Sequence, residues 1–303
     1  MKQLSLLAFA AIMAMAMLTG CPAILEIVND YSTTTTTTTA TTIPPTTTTI
    51  STTTTVPTTT TSTTTTTTIV SNIDTLSSAN AASGYEGKLP VVSSGRQYIV
   101  QNNIIVSPSA QVVEYSTDSG NFEIKEQTGS SSTLPVAFPS IFIGNNNGHE
   151  TADSNLPIRN SSIDSFLTTW VWSDLNVSAT ADFLPAYSLW FTTSNTGNIL
   201  GPNKWLEIWM FKPPSHNPSG TQIESNSSID ESLWNIWKDG SNITYVAVSA
   251  LRSVNLDLGP FITYAVSKET ISNTDYLHDV IAGFKIWSNG AGLSSSGFSA
   301  IVR

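Results

Sequence analysis

The sequence predicts an all-β fold, a two-sheet antiparallel sandwich with one packed helix. Three observations carry that prediction. Short runs of alternating apolar and polar residues, separated by Gly, Pro and Ser-Asn clusters, recur from about residue 85 to the end. Only one stretch, about 257–268, has helical spacing. The length left after the N-terminal segments, residues 71–303, suits a single sandwich domain.

Met1–Gly20 opens with Lys2 and continues as an apolar run from Leu4 to Leu18, too short for a comfortable membrane span. It reads as a signal segment. Leu18-Thr19-Gly20-Cys21 resembles a lipobox, and Cys21, the one cysteine of the chain, would then be lipidated; the bland alternative is a chance cysteine near an ordinary cleavage site. Residues 1–21 are thus expected to export the chain, leaving it anchored outside the cell, or secreted if the segment is cleaved without lipidation. Residues 22–70 are mostly threonine with Pro44, Pro45 and Pro57, a composition that cannot bury a core and suits an O-glycosylated stalk. Extended, its 37-residue Ser32–Thr68 portion would reach on the order of 110 Å, at roughly 3.1 Å per residue.

The single cysteine excludes an internal disulfide framework. A formal net charge of -10 with 12 Lys and Arg and no basic run excludes nucleic acid as a partner. His149, His216 and His278 lack ligand spacing, so no metal site and no cofactor are expected. Asn160, Asn176, Asn226 and Asn242 each open an Asn-X-Ser/Thr acceptor pattern for N-glycosylation. A monomer is expected.

Within the domain, Tyr98–Val106, Gln111–Tyr115, Asn121–Gln127 and Val136–Ile143 read as strands, the last ending at Gly144 before an Asn145–Gly148 turn. Phe166–Trp172 alternates Phe166, Thr168, Trp170 and Trp172 against Leu167, Thr169 and Val171, and Tyr187–Thr192 follows. Lys204–Phe211 is the focal strand: Trp205, Glu207, Trp209 and Phe211 share one face, and Leu206, Ile208 and Met210 share the other. A carboxylate set among indoles suits a sugar platform; the alternative is a strand buried on both faces with Glu207 satisfied by neighbours. Past a turn-rich Pro213–Gly220 come Trp234–Lys238 and Ile243–Leu251. Leu258, Phe261, Ile262, Ala265 and Val266 form the helix stripe, with Asp257 as cap and Pro260 in the first turn. Asp279–Trp287 places Gly283, Lys285 and Trp287 on one face, and Phe298–Val302 closes the domain.

The order of these pieces resembles glycoside hydrolase family 12, the β-jelly-roll endoglucanases and xyloglucanases. Phe138–Gly144 is similar to its Pro-Ser-Ile strand, Leu189-Trp190-Phe191 with Glu207–Phe211 to its central strand pair, and Tyr276-Leu277 with Ala282–Trp287 to its C-terminal arrangement. Tyr98–Ile105 is similar to its early paired-asparagine segment, with Ile104 and Ile105 where a tryptophan is usual. The resemblance implies a β-jelly roll, a β-1,4-glucan-type polysaccharide as partner, and Glu207 as the nucleophile of a retaining pair. The position of the acid/base glutamate is Lys285, and that of a supporting aspartate is Ser188. Trp205, Trp209, Trp170, Trp172, Trp190 and Trp287, with Ser188 and Asn145, are the expected substrate contacts.

A lysine, ordinarily charged up to a pKa of about 10.4, is a poor general base and would pair with Glu207. A desolvated lysine acting as an acid is the narrower reading. Three functions follow as expectations: a surface-displayed glycan binder with impaired catalysis; an active endoglucanase in which Glu150, Asp153, Glu224 or Glu231 replaces the missing acid; or a structural envelope protein without a ligand.

Overall fold

The computed structural model describes residues 72–77, 86–88, 96–106, 110–146, 148–196 and 204–303. The expected signal segment, Cys21 and the threonine-rich stalk lie outside them.

The described residues form two packed sheets and one α-helix. The six-stranded sheet runs, in spatial order, Ile73–Leu76, Gln111–Ser116, Phe122–Gln127, Ser294–Val302, Phe166–Ser173 and Ser253–Asp257. The eleven-stranded sheet runs Thr221–Ile229, Ser232–Asp239, Asn242–Ala247, Lys204–Trp209, Asp182–Thr192, Tyr276–Ser288, Ser140–Asn146, Ile99–Gln101 and Glu86–Lys88, with His149–Glu150 and Ile158–Arg159 as short additions. Pairing is antiparallel except between Lys204–Trp209 and Asn242–Ala247. This is an all-β two-sheet sandwich with one packed helix, as the alternation and spacing predict, arranged as the jelly roll that the resemblance implies.

Period-two alternation sorts each strand's side chains between the core and the outer face. Leu206 and Ile208 of the focal strand, Tyr187 and Leu189 beside it, and Ala282, Phe284 and Ile286 beyond all enter the core between the sheets. From the smaller sheet, Phe166, Trp170 and Trp172 meet them, with Trp170 set edge-on to Tyr187 at a centroid distance of 5.5 Å.

The helix spans Leu258–Ser267 and begins where Asp257 ends the smaller sheet's edge strand. Asp257 caps it by accepting the Gly259 amide at 2.9 Å, and accepts the Phe166 amide at 2.8 Å, tying the helix start to the neighbouring strand. Leu258, Phe261, Ile262 and Ala265 are buried, and Phe261 packs edge-on against Trp234 and Tyr245. The helix thus packs on the Ser232–Asp239 and Asn242–Ala247 strands of the large sheet.

Several strands differ from expectation. Asp182–Thr192 starts five residues earlier than its apolar run suggests, continuing through Pro185. Pro185 still accepts the Met210 amide at 3.0 Å. Thr221–Ile229 is a strand without an apolar signal, because it is an edge strand and largely exposed. The focal strand ends at Trp209, so Phe211 leaves the indole face and packs against Trp172 and Phe183 at 5.9 and 5.6 Å.

Candidate active site

The outer face of the large sheet carries Trp205, Glu207 and Trp209 on one strand, Ala186, Ser188 and Trp190 on the next, and Gly283, Lys285 and Trp287 on the third. A cleft of about 270 Å³ opens on this face, lined by Trp205, Glu207, Trp209, Lys285 and Trp287 together with Thr133–Pro135, His216, Asn217, Ser219, Asp239, Asn242 and Thr244.

Glu207 sits at the cleft floor with 9% exposure. The Lys285 ammonium donates to its Oε1, and the Trp209 indole N–H donates to its Oε2 at 2.7 Å. The lysine, in register with Leu184, reaches diagonally across the intervening strand past the small Ala186 and Ser188, and Gly283 on its own strand adds no side chain. Gly283 is required there: a Cβ would lie 2.4 Å from both the Pro139 carbonyl oxygen and the Ser140 Cβ. Both side chains of the pair are mostly withdrawn from water, at 14% and 11% exposure, so each charge depends on the other.

The Trp287 indole, two residues beyond Lys285, is 6% exposed. The His216 imidazole stacks on it with centroids 3.7 Å apart and planes 16° from parallel. Asp182 accepts from or pairs with His216 Nε2 at 2.9 Å, and Ser215 Oγ bonds the same carboxylate at 3.0 and 3.1 Å.

A second carboxyl on the same face, Asp279, is fully buried beside Trp190. It accepts from Asn146 Nδ2 at 2.8 Å and the Trp190 amide at 3.2 Å. Burial pushes its pKa well above the ordinary carboxylate range, and those two hydrogen bonds only partly oppose the shift.

The structure therefore brings Glu207, Lys285, Trp205, Trp209 and Trp287 to one cleft. Ser188 lies in register with Glu207 but is 5% exposed and does not line the cleft. Trp190 is buried in an apolar cluster with Ile99, Phe138, Phe142 and Ile281. Three further expected contacts also lie off the cleft. Trp170 and Trp172 belong to the smaller sheet's inner face, at 0% and 2% exposure, and their indole N–H groups are spent on Ser295 Oγ and the Leu251 carbonyl. Alternation identified the residues that share a face; it does not say that the face is the core. Asn145 falls on the alternate side of its strand from Asn146, whose amide reaches Asp279, and it does not line the cleft.

The four loop carboxylates named as replacement acids also lie elsewhere. Glu150 and Asp153 line a separate depression with Gln97 and Asn155. Glu224 is held by Lys268 at 2.7 Å and by Ser227, and Glu231 occupies the turn between Thr221–Ile229 and Ser232–Asp239. The carboxylate that does line the cleft beside Glu207 is Asp239. Asp239 and His216 escaped the sequence reading because one lies at a hairpin end and the other in a loop, where periodicity carries no facing information. The one available signal was the Pro- and Gly-rich Pro213–Gly220 stretch directly after the focal strand.

The family model for Glycosyl hydrolase family 12 matches residues 91–303. Among curated proteins, the chain is 29% identical over 156 residues to the probable cellulase Cel12b of Mycobacterium tuberculosis (strain ATCC 25618 / H37Rv), covering 50% of this chain and 99% of that protein. It is 31% identical over 173 residues to endoglucanase S of Pectobacterium parmentieri, covering 52% of this chain and 62% of that one. Among solved structures, a metagenome-derived glycoside hydrolase family 12 endoglucanase is 30% identical and superposes with a TM-score of 0.67, covering 76% of this chain and 98% of the other.

Proposed function

Because the chain belongs to glycosyl hydrolase family 12, we propose that it holds a β-1,4-glucan-type polysaccharide in the cleft around Glu207, with hydrolysis impaired or lost. The observation that carries this reading is the ion pair between Lys285 and Glu207. Retaining glycoside hydrolysis needs two carboxyl groups about 5–5.5 Å apart: one attacks the anomeric carbon, and the other protonates the leaving oxygen and then activates water. Here the group facing Glu207 is an ammonium. It cannot serve as the general base while charged, and it occupies one of the oxygens that would attack. Trp209 holds the other. The cleft keeps a half-exposed indole, Trp205, that suits pyranose stacking, and has a lysine where the acid/base partner would stand.

Display outside the cell belongs to the same reading. The apolar N-terminus, Cys21 and the threonine-rich tract would hold the domain, as a monomer, away from a membrane.

A second reading retains hydrolysis, with Glu207 as nucleophile and the acid supplied from another part of the cleft; the presence of Asp239 favours it. Reducing-sugar release from soluble β-glucan and xyloglucan separates the two. The binding reading expects little release from the wild type and a gain in Lys285→Glu. Release by the wild type at rates ordinary for an endoglucanase rejects it. No gain in Lys285→Glu rejects either residue 285 as the acid/base position or the integrity of the cleft. A third reading, a structural envelope protein, stands only if no β-glucan perturbs the tryptophan fluorescence.

A further inference from the structure

We propose that His216 sets how much of a glycan chain the cleft accepts, by occupying the face of Trp287 on which a pyranose ring would otherwise stack. The proposal rests on the glycan-binding reading of the cleft and adds a specificity residue to it.

A sugar ring stacks on an indole through its flat apolar side, at about the spacing of two aromatic rings. The His216 imidazole already holds that position on Trp287, at 3.7 Å and 16°. Trp287 belongs to an apolar cluster on this sheet face with Leu184, Ala186, Trp209 and Val246, and the imidazole stacks on its ring where it lines the cleft. Trp287 is 6% exposed although it lines the cleft, and its buried indole N–H has no hydrogen-bond partner. An apolar platform with an unspent donor is a sugar-binding surface in composition, closed by a side chain.

The closure is built rather than incidental. Asp182 fixes His216 Nε2 at 2.9 Å, and Ser215, next to the histidine, bonds both oxygens of that carboxylate. A carboxylate that holds one ring nitrogen restrains the imidazole, and the stack on Trp287 sets its plane. The loop backbone adds a turn bond from the His216 amide to the Pro213 carbonyl. A glycan running along the cleft from Trp205 past Glu207 would therefore meet the imidazole where it would otherwise meet Trp287. Either the chain ends there, or it must displace His216 and give up this stack.

The test is a titration of β-1,4-linked gluco-oligosaccharides of increasing length, followed by calorimetry and tryptophan fluorescence, on the wild type, His216→Ala and Asp182→Asn, with thermal unfolding as the check that each is folded. The expected result is a gain in affinity of about three- to tenfold in His216→Ala, the scale of one aromatic stack, seen only for the longer oligosaccharides. Asp182→Asn, which loosens the tether and keeps the ring, should gain less. Equal or weaker binding of long oligosaccharides by His216→Ala overturns the assignment while the glycan reading stands, and the weaker case makes the imidazole a sugar contact instead. A gain that is the same at every length also overturns it. No binding by any of the three proteins overturns the glycan reading and this assignment together.

Discussion

Lys285 and Glu207 meet across a strand that belongs to neither of them, over a trough floored by Ala186 and Ser188. Removing one member of so enclosed a pair leaves the other charge only partly solvated. Lys285→Met should cost about 3 kcal/mol in urea unfolding, the scale for breaking a buried pair. Lys285→Met combined with Glu207→Gln should recover much of that loss, and the double-mutant cycle measures the coupling.

Asp279 makes stability depend on pH in the direction opposite to a salt-bridged carboxylate. Its folded pKa is raised by burial, so the native state keeps a proton that the unfolded chain releases. The contribution is complete below the unfolded pKa of about 4 and is lost progressively as pH rises above it. Asp279→Asn keeps the shape and removes the titration. The variant should melt higher than the wild type at neutral pH, with the advantage shrinking in acid.

Trp170 and Trp205 should separate stability from binding. Trp170 is fully buried and bonded to Ser295, so Trp170→Ala should cost about 3–5 kcal/mol. Trp205 is half-buried at the cleft. Trp205 packs on the buried cluster around Trp190, so Trp205→Ala should cost less stability than Trp170→Ala and weaken oligosaccharide binding several-fold. Calorimetric unfolding and ligand titration on the two variants read the contrast directly.

The four acceptor asparagines should not be equivalent in a host that N-glycosylates exported chains. Asn176 and Asn226 are exposed. Asn160 is 6% exposed with its amide donated to the Ser272 carbonyl, and Asn242 is 6% exposed in the cleft with its Oδ1 accepting from the Trp205 amide. Glycopeptide mass spectrometry should find glycan on Asn176 and Asn226. Folded protein carrying it on Asn160 or Asn242 would contradict the prediction.

Much of the architecture was legible because it follows from alternation. Lys204–Trp209 and Asp279–Trp287 declare their two faces in sequence, and Leu258–Ala265 declares a helix by its stripe, with Asp257 as the cap. What alternation leaves open is which face meets the other sheet, and so Trp170 and Trp172 looked like cleft residues although they fill the core. Thr221–Ile229 was silent because an edge strand with little to bury needs no apolar pattern. The lining contributed by His216 and Asp239 depends on where a loop and a hairpin end come to rest, a tertiary fact that local spacing does not encode. Glu207 and Lys285 were legible as strand positions on matching faces; their contact needed the small residues between them.

The close approach at Gly283 holds the strand that carries residue 285 against Pro139 and Ser140. With the backbone pinned, an exchange at 285 changes the cleft's chemistry and leaves the sheet where it is. Lysine and glutamate codons differ at a single base. The ion-paired cleft and a two-carboxylate cleft are therefore adjacent in mutational space, joined by a step that the scaffold permits in either direction.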